Sequence, residues 1–218
     1  MNNDSTRTYA IAGIHTGIGK TISSAVLAEA LNADYWKPVQ AGNIEDSDSI
    51  FVRQHIRNTK TFIHPEQFLL KLAASPHQAA EAEGIEILLT DFKLPQTSNS
   101  LIVETAGGIF SPLNRKHTML DLIKHLNIPV ILISQNYLGS INHTLLSIHA
   151  MMNSGVKIEG LIFNGLYNSA SEEYILEHSG INLLGRIDYS EILSKEFICK
   201  EAENLRSKLN EIRNQITY

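Results

Sequence analysis

The stretch GIHTGIGKT, from Gly13 to Thr21, constrains the fold more than any other part of the sequence. It follows an apolar run, YAIA, and precedes an amphipathic run, TISSAVLAEALN, so it joins a strand to a helix. Glycines at such a junction let the backbone turn its N–H groups toward an anion, and the helix N-terminus adds the positive end of its dipole. The stretch therefore predicts a phosphate-binding loop, with five residues instead of the usual four between Gly13 and Gly19.

The rest of the chain alternates strand-like with helix-like runs. Apolar runs of strand length are LIVETA, PVILISQ, IEGLIFN and NLLGRI, and amphipathic runs lie between or beside them. This order predicts an α/β fold of the P-loop NTPase type, with a mostly parallel sheet and helices on both faces. A chain of 218 residues, 43% of them hydrophobic, is expected to form a single domain over residues 1–218.

Residues 40–100 are less regular. A short strand is predicted in DYWKPV, ending at Pro38 because proline has no N–H to donate to a sheet. Helices are predicted from Ser47 to Arg57 and from Pro76 to Glu83, and we expect the region to elaborate the surface. In the C-terminal stretch, helical spacing predicts a helix packed along one face by its apolar residues Leu205, Leu209, Ile212 and Ile216.

Composition limits the partners and the location. A formal net charge of −5 argues against a broad cationic surface for nucleic acid or anionic membrane. The single cysteine, Cys199, has no partner for an intramolecular disulfide. The N-terminal residues lack an apolar signal core, and no run approaches the roughly 18 apolar residues that span a bilayer. We expect a soluble cytoplasmic protein that holds anionic ligands with local groups.

Each part of the loop has an expected role. The N–H groups of Gly17, Ile18 and Gly19 would surround nucleotide phosphates, and Lys20 would reach the terminal ones. The Thr21 hydroxyl would be a ligand of Mg²⁺. The alternative is a glycine-rich turn that only joins the strand to the helix.

Three further residues are expected at the carboxyl edge of the sheet, where ligands bind in open α/β folds. Glu104 ends the run LIVE, where an acid is costly unless it is paired or exposed, and Asp48 lies at the start of a helix. Either could be a ligand of Mg²⁺, although Asp48 also suits an ordinary first-turn position. Lys37 ends a short strand and would add positive charge for a reaction between two anions; a solvated lysine is the alternative.

In their order, these motifs resemble those of the dethiobiotin synthetases, ATP-dependent carboxylases of biotin synthesis. The matching pieces lie between residue 10 and about residue 187: GIHTGIGKT, WKPVQAG, SDS, SPH, VETAGG, PVILISQNYLGSINHTLL and GLIFN. The resemblance implies a cyclo-ligase that converts 7,8-diaminononanoate (7,8-diaminopelargonate), CO₂ and MgATP into dethiobiotin, ADP and phosphate. One substrate amine captures CO₂ as a carbamate, a carbamate oxygen accepts the γ-phosphate, and the other amine attacks the mixed anhydride.

The resemblance also implies roles for individual residues. Lys20, Lys37 and Thr16 would act on the reacting groups, and Asn164 would contact the adenine. The Mg²⁺ ligands would be Thr21, Asp48 and Glu104. The substrate-binding residues would be Lys37, Ala41, Gly107, Gly108, Ser140, Ile141 and Asn142. The last three start a helix and, in the family, bind the substrate carboxylate across a homodimer interface; helix capping by Ser140 or Asn142 is the alternative.

The chain departs from the family pattern at several positions. His15 and Gly17 stand where acidic residues are common, Ala41 replaces a hydroxyl residue, and Thr105 replaces the first glycine of a turn. We expect the binding of Mg²⁺ to depend more heavily on the two remaining carboxylates, Asp48 and Glu104. We also expect the turn at Thr105 to be stiffer.

Two departures concern the nucleotide base. Gly165 follows Asn164 where an acid is common, and Asp188 replaces a proline. Fewer polar groups would then be left unpaired by a wrong base, so we expect loose base discrimination.

Two other functions fit a phosphate-binding loop. A partitioning-type regulatory ATPase usually carries a lysine early in the loop, and no lysine precedes Lys20 here. A small-molecule kinase commonly has an arginine-rich lid, and the arginines Arg53, Arg57 and Arg115 do not cluster in the sequence.

Overall fold

A computed structural model describes residues 6–216, with side chains described through residue 209. In this part of the chain the strands are β1 (Thr8–Gly13), β2 (Asp34–Trp36), β3 (Val39–Ala41), β4 (Ile63–His64), β5 (Phe68–Leu70), β6 (Leu101–Gly108), β7 (Val130–Gln135), β8 (Ile158–Asn164) and β9 (Leu183–Ile187). The α-helices are α1 (Lys20–Leu31), α2 (Asp48–His55), α3 (Pro76–Ala82), α4 (Met119–Leu126), α5 (Ser140–Asn153), α6 (Ser169–Ser179) and α7 (Lys195–Ile216).

Seven strands form the main sheet in the order β4-β2-β6-β1-β7-β8-β9, and each neighbouring pair is parallel. Helix α1 packs with α2 and α7, whereas α5 packs with α6. The prediction of an α/β fold built on a parallel sheet is therefore confirmed. Because all strands point the same way, the segments that follow β1, β2 and β6 meet at one edge.

The central strands explain why the sequence reads as long apolar runs. In β1 and β7 nearly every residue is buried, so both faces of these strands pack against other elements. Strands covered on both faces have continuous rather than alternating apolar sequences. One continuous cluster of buried apolar side chains joins the sheet to its helices.

The region from residue 40 to residue 100 contains more structure than the sequence predicts. Strand β4 adds an edge to the main sheet, and β3 and β5 form a second, two-stranded parallel sheet. These strands have two or three residues each, too few to show a period-2 pattern, and they depend on pairing rather than on local preference. The strand predicted in DYWKPV is split: β2 ends at Trp36, and β3 begins after Pro38.

The predicted helices are present with shifted ends. Helix α2 begins after Ser47, whose hydroxyl accepts a hydrogen bond from the N–H of Ile50, and ends at His55 rather than Arg57. Helix α3 begins at Pro76 as predicted and ends at Ala82.

Helix α7 packs against α1 and β9. Leu205 is buried and Leu209 packs against the core, as their spacing predicts, whereas Ile212 and Ile216 lie outside the described side chains. No helix in the described part of the chain combines the length and the apolar character that crossing a membrane requires.

Candidate active site at the carboxyl edge of the sheet

The predicted phosphate-binding loop connects β1 to α1. Gly17 and Gly19 both have positive φ, at 77° and 85°, and Gly19 is the N-cap of α1. A Cβ atom at Gly19 would lie 2.1 Å from Nδ2 of Asn164, so glycine is required there by space as well as by conformation. The Asn164 amide donates a hydrogen bond to the carbonyl of Ile18 at 3.0 Å. The end of β8 therefore holds the loop in place.

Lys20 is the first residue of α1 and is buried. Its ammonium donates to the carbonyl of His15 at 3.2 Å, which folds the side chain over the loop. Burial, reinforced by the charge of Lys37, lowers the pKa of Lys20 to about 8 against the opposing charges of Glu104 and Asp48. A phosphate placed in the loop would restore the balance in favour of the charged form.

Three oxygen atoms meet beyond the loop. Oγ1 of Thr21 lies 2.9 Å from Oδ1 of Asp48 and 2.9 Å from Oε1 of Glu104. A hydroxyl has one proton, so it donates to one carboxylate at a time while its oxygen faces the other. The ammonium of Lys37 contacts both carboxylates, at 3.1 Å from Oε1 of Glu104 and in a closer ion pair with Asp48.

Glu104 lies in the middle of β6, and its side chain is buried. The prediction that the strand ends at Glu104 is wrong, because β6 continues to Gly108. The replacement at Thr105 therefore falls within a strand, where its hydroxyl donates to the carbonyl of Ile11 at 3.0 Å. The turn comes later, at Gly107, which has a φ of 65°.

The charges in this cluster compensate one another. Burial disfavours the charged form of Lys37, but Glu104 and Asp48 outweigh it, and the pKa of Lys37 is raised above its ordinary value. Burial likewise works against the ionised form of Asp48, yet Lys37 and the Thr21 hydroxyl leave the pKa of Asp48 lowered. At neutral pH Lys37 is thus a cation and Asp48 an anion.

The three oxygen atoms suit Mg²⁺, which prefers oxygen ligands and is commonly held by one or two carboxylates together with substrate phosphates. Thr21, Asp48 and Glu104 would supply the protein ligands, and phosphate and water the remainder. Among residues 6–209, no group of three or more His, Cys, Asp or Glu side chains is placed to hold a metal ion.

A cleft of about 700 Å³ contains most of the predicted site residues. They line its wall in one continuous surface: Thr16, Gly17, Gly19, Lys20, Thr21, Lys37, Ala41, Asp48, Glu104 and Gly107. Gly108 lies beside them, paired with Gly13 at the start of the loop. Ile18 is a buried residue of the loop, and Asn164 is buried behind it.

Three residues around the cleft are not predicted from the sequence. Tyr35 donates to Oε2 of Glu104 at 2.9 Å, Gln40 accepts from the N–H of Asp48 at 3.3 Å, and Ser111 accepts from the N–H of Gly108 at 2.8 Å. The position of Tyr35 two residues before Lys37 is a signal that could have found it, since residues two apart share a face of a strand. The Gln40 contact joins the end region of β3 to the start of α2, whereas the Ser111 contact lies within the turn that ends β6.

Ser140, Ile141 and Asn142 form the first turn of α5 and do not line this cleft. The N-cap of α5 is Gly139, with a φ of 99°, and no side chain caps this end. The capping alternative for Ser140 and Asn142 is therefore wrong. The ring of His15 lies 6.4 Å from that of His143, so the outer side of the loop faces the start of α5.

Arg186, in β9, holds the segment that follows β8. Its guanidinium donates to the carbonyl of Gly165 at 2.9 Å, forms an ion pair with Glu172 and lies 4.8 Å from the centre of the Tyr167 ring. The N–H of Asp188 donates to Glu201 at 3.3 Å. These contacts order the backbone at Gly165 and Asp188, the two positions expected to affect recognition of the nucleotide base.

The arginines considered for a lid do not line the cleft. Arg57 pairs with Glu196 and Arg115 pairs with Glu81, in both cases at the surface. The structure therefore does not favour the small-molecule kinase alternative.

Comparisons with known proteins agree with these observations. The family model described as an AAA domain matches residues 7–196. The ATP-dependent dethiobiotin synthetase BioD of Cytophaga hutchinsonii is 46% identical over 198 residues, which cover 90% of this chain and 96% of that protein. The protein of the same name from Christiangramia forsetii is 42% identical over 94% of this chain and 99% of its own length.

Solved structures share the fold at low identity. The septum site-determining protein MinD of Pyrococcus horikoshii, complexed with Mg-ADP, has a TM-score of 0.57 at 14% identity and covers 95% of this chain and 96% of its own. A plasmid partition protein of Borrelia burgdorferi has a TM-score of 0.59 at 16% identity, with 94% and 98% covered. At this identity the likeness concerns the fold alone.

Nucleotide affinity is expected to decrease as the pH rises, because Lys20 loses its proton. Phosphate binds the protonated lysine, and the free protein loses this proton as pH rises through about 8. Binding of ADP, measured by titration calorimetry, should therefore be strong near pH 7 and weaken above pH 8, approaching about tenfold per pH unit. In Lys20→Arg, which stays charged, the affinity should not vary over this range; a wild-type affinity equally independent of pH would contradict the assignment.

Removing the cation from the carboxylates is expected to make stability depend on Mg²⁺. Lys37→Met would leave Asp48 and Glu104 uncompensated and lower the free energy of unfolding by about 3–5 kcal/mol. Urea denaturation should show that Mg²⁺ restores part of this loss, because the ion replaces the missing charge. Lys157→Met, which removes an exposed ion pair with Glu159, is the matched control and should change stability by less than about 1 kcal/mol. A Lys37→Met protein as stable as the wild type would disprove this account.

Proposed function

The chain belongs to the family of ATP-dependent dethiobiotin synthetases, and from this premise we propose that it converts 7,8-diaminononanoate, CO₂ and ATP into dethiobiotin, ADP and phosphate as a cyclo-ligase. One observation carries the assignment of this reaction to the cleft. Two lysines, Lys20 and Lys37, lie at one edge of the sheet beside Asp48 and Glu104. Such a surface suits phosphoryl transfer between two anions, which needs positive charge to offset their repulsion.

The reaction proceeds in three bond-forming steps. A neutral amine of the substrate attacks CO₂ and loses a proton, which forms a carbamate. A carbamate oxygen then attacks the γ-phosphorus and ADP leaves, giving a carbamic-phosphoric mixed anhydride. The second amine attacks the carbonyl carbon and loses a proton, phosphate leaves, and the cyclic urea of dethiobiotin closes. The last step is intramolecular, so holding the substrate in position supplies much of the rate.

The residues of the cleft divide these tasks. Lys20 would bind the terminal phosphates from the start of α1, with the N–H groups of Gly17, Ile18 and Gly19 around them. Lys37, after the end of β2, would hold the carbamate.

Thr16 lines the cleft beside the end of β6. A Cβ atom at Gly107 would lie 3.4 Å from its hydroxyl oxygen, so that hydroxyl faces the turn after β6. From there Thr16 would donate to the transferring phosphoryl group or to the carbamate, while Ala41, Gly107 and Gly108 would bound the substrate.

Thr21, Asp48 and Glu104 would hold Mg²⁺. When bound, the ion would neutralise charge on the β- and γ-phosphates. Because His15 and Gly17 bring no carboxylate to the loop, Asp48 and Glu104 are the acidic residues that line the cleft in the described part of the chain.

The substrate carboxylate would be bound by the N–H groups of Ser140, Ile141 and Asn142 at the start of α5, in a homodimer. This turn lies outside the cleft of its own chain. The same segment exposes Leu138 completely and Leu146 by more than half, an apolar surface that a second copy would cover. A shared interface would bring the helix start of one chain to the cleft of the other.

We place the enzyme in the cytoplasm, where its one thiol, Cys199, stays reduced.

Phosphate release should depend on the diamine. Purified protein with MgATP and bicarbonate is expected to release phosphate in equal amounts with dethiobiotin, followed by mass spectrometry, only when 7,8-diaminononanoate is present. Lys37→Ala should abolish both products because it removes the charge that holds the carbamate. Phosphate release that ignores the diamine would leave a P-loop ATPase and favour a partitioning-type switch.

Asn142→Ala is expected to raise the KM for the diamine with little change in the KM for ATP, since Asn142 belongs to the proposed carboxylate site and does not line the cleft of its own chain. Steady-state kinetics with either substrate varied gives both constants. His149→Ala, an exposed residue further along α5, is the matched control. A diamine KM unaffected by Asn142→Ala would argue against the shared site.

Base discrimination is expected to be loose, because Gly165 and Asp188 replace residues that help to recognise adenine in the family. Rates of dethiobiotin formation with ATP, GTP and CTP should be similar. Strict dependence on ATP would show that residues other than Gly165 and Asp188 recognise adenine.

A further inference from the structure

Tyr35 holds one oxygen of the carboxylate in the candidate metal site. Its side chain is fully buried on β2, and its hydroxyl donates to Oε2 of Glu104 at 2.9 Å. The two residues are 69 positions apart in the sequence. The reaction described above uses Glu104 but gives Tyr35 no part.

The register of the sheet explains this contact. Strand β2 lies beside β6, and Tyr35 is paired with Ile102. Glu104 comes two residues after Ile102, on the same face of β6, and Lys37 comes two residues after Tyr35. Tyr35, from β2, and Lys37, from just after the end of β2, therefore approach the Glu104 carboxylate from the same side, Tyr35 at Oε2 and Lys37 at Oε1.

The two oxygens of Glu104 consequently have different surroundings. Oε2 accepts from the phenol, whereas Oε1 faces Thr21 and Lys37. Burial, together with the negative charges of Glu104 and Asp48, raises the pKa of Tyr35 well above its ordinary value. At neutral pH a tyrosine hydroxyl carries its proton, so the phenol donates to Oε2. Without it, Oε2 would be a buried acceptor with one fewer partner, and the carboxylate would be free to turn.

We propose that Tyr35 is a positioning residue for metal binding, which fixes the Glu104 carboxylate so that Oε1 points to the cation beside Thr21. The inference rests on the proposed function in one respect, the assignment of Glu104 as a ligand of Mg²⁺. Carboxylates that bind metals are themselves hydrogen-bonded, and loss of such a partner typically weakens metal affinity by about 10- to 100-fold.

The test measures Mn²⁺ in place of Mg²⁺, by electron paramagnetic resonance, in the presence of saturating ADP. Tyr35→Phe removes only the hydroxyl and should raise the Kd of Mn²⁺ by about 10- to 100-fold. Tyr9→Phe is the matched control, since Tyr9 is a buried tyrosine of β1 whose hydroxyl pairs with Arg7 instead of the site. Its Mn²⁺ affinity should equal that of the wild type.

A double-mutant cycle separates positioning from a general loosening of the fold. In the Glu104→Gln background, Tyr35→Phe should cause no further loss of Mn²⁺ affinity, because the carboxylate it positions is gone. An equal loss in both backgrounds would overturn the proposal. If a variant has low stability, the increase in Tm on adding Mn²⁺ and ADP gives a second measurement of binding. This increase should be smaller for Tyr35→Phe than for Tyr9→Phe.

The outcomes also distinguish the proposal from the function on which it rests. If Glu104→Gln weakens Mn²⁺ binding and Tyr35→Phe does not, Tyr35 has no positioning role and the metal assignment stands. If Glu104→Gln binds Mn²⁺ as the wild type does, both assignments are overturned. Coupling between Tyr35 and Glu104 in a protein that forms no dethiobiotin would support the positioning role and refute the reaction.

Discussion

The buried carboxylate of Glu104 in the middle of a parallel sheet is the interaction on which the site depends. An ionised group at this depth is costly unless partners compensate it. Here the partners come from three elements: Thr21 from α1, Tyr35 from β2 and Lys37 from the segment that follows β2. Each of them is placed by the same need to satisfy one acid. The requirement therefore ties the order of the strands to the chemistry of the cleft, because β2 must lie beside β6.

A second constraint is the contact between the phosphate-binding loop and the end of β8. The close approach of Gly19 to Asn164 and the hydrogen bond from Asn164 to Ile18 connect the loop to the end of β8. Strand β8 is separated from β1 by β7, so the contact reaches across the top of the sheet. Asn164 therefore has a structural task that is separate from any contact with a base. Contacts within the protein thus fix the backbone of the loop, which reduces the ordering that nucleotide binding must impose.

The small second sheet serves the same cleft. Pairing of β3 with β5 places Gln40 so that its side chain accepts from the N–H of Asp48 and donates to the carbonyl of Gly42 at 2.8 Å. Gly42 has positive φ, and a Cβ atom there would lie 2.6 Å from Ala73, so the segments that follow β3 and β5 approach each other closely at this point. The irregular region thus positions Asp48 at the start of α2. What looks like surface elaboration in the sequence is part of the site.

The sequence by itself determined the layer architecture, the loop between β1 and α1, and the identity of Lys20, Thr21, Lys37, Asp48 and Glu104 as candidates. These features are local, since they follow from apolar periodicity, from glycines at a strand–helix junction and from motifs read in order. Only the tertiary structure decided that Glu104 is internal to β6, that Tyr35 holds it, and that β3 and β5 support Asp48. Strand register and pairings between distant segments decide such contacts, and no periodicity in a single segment records them.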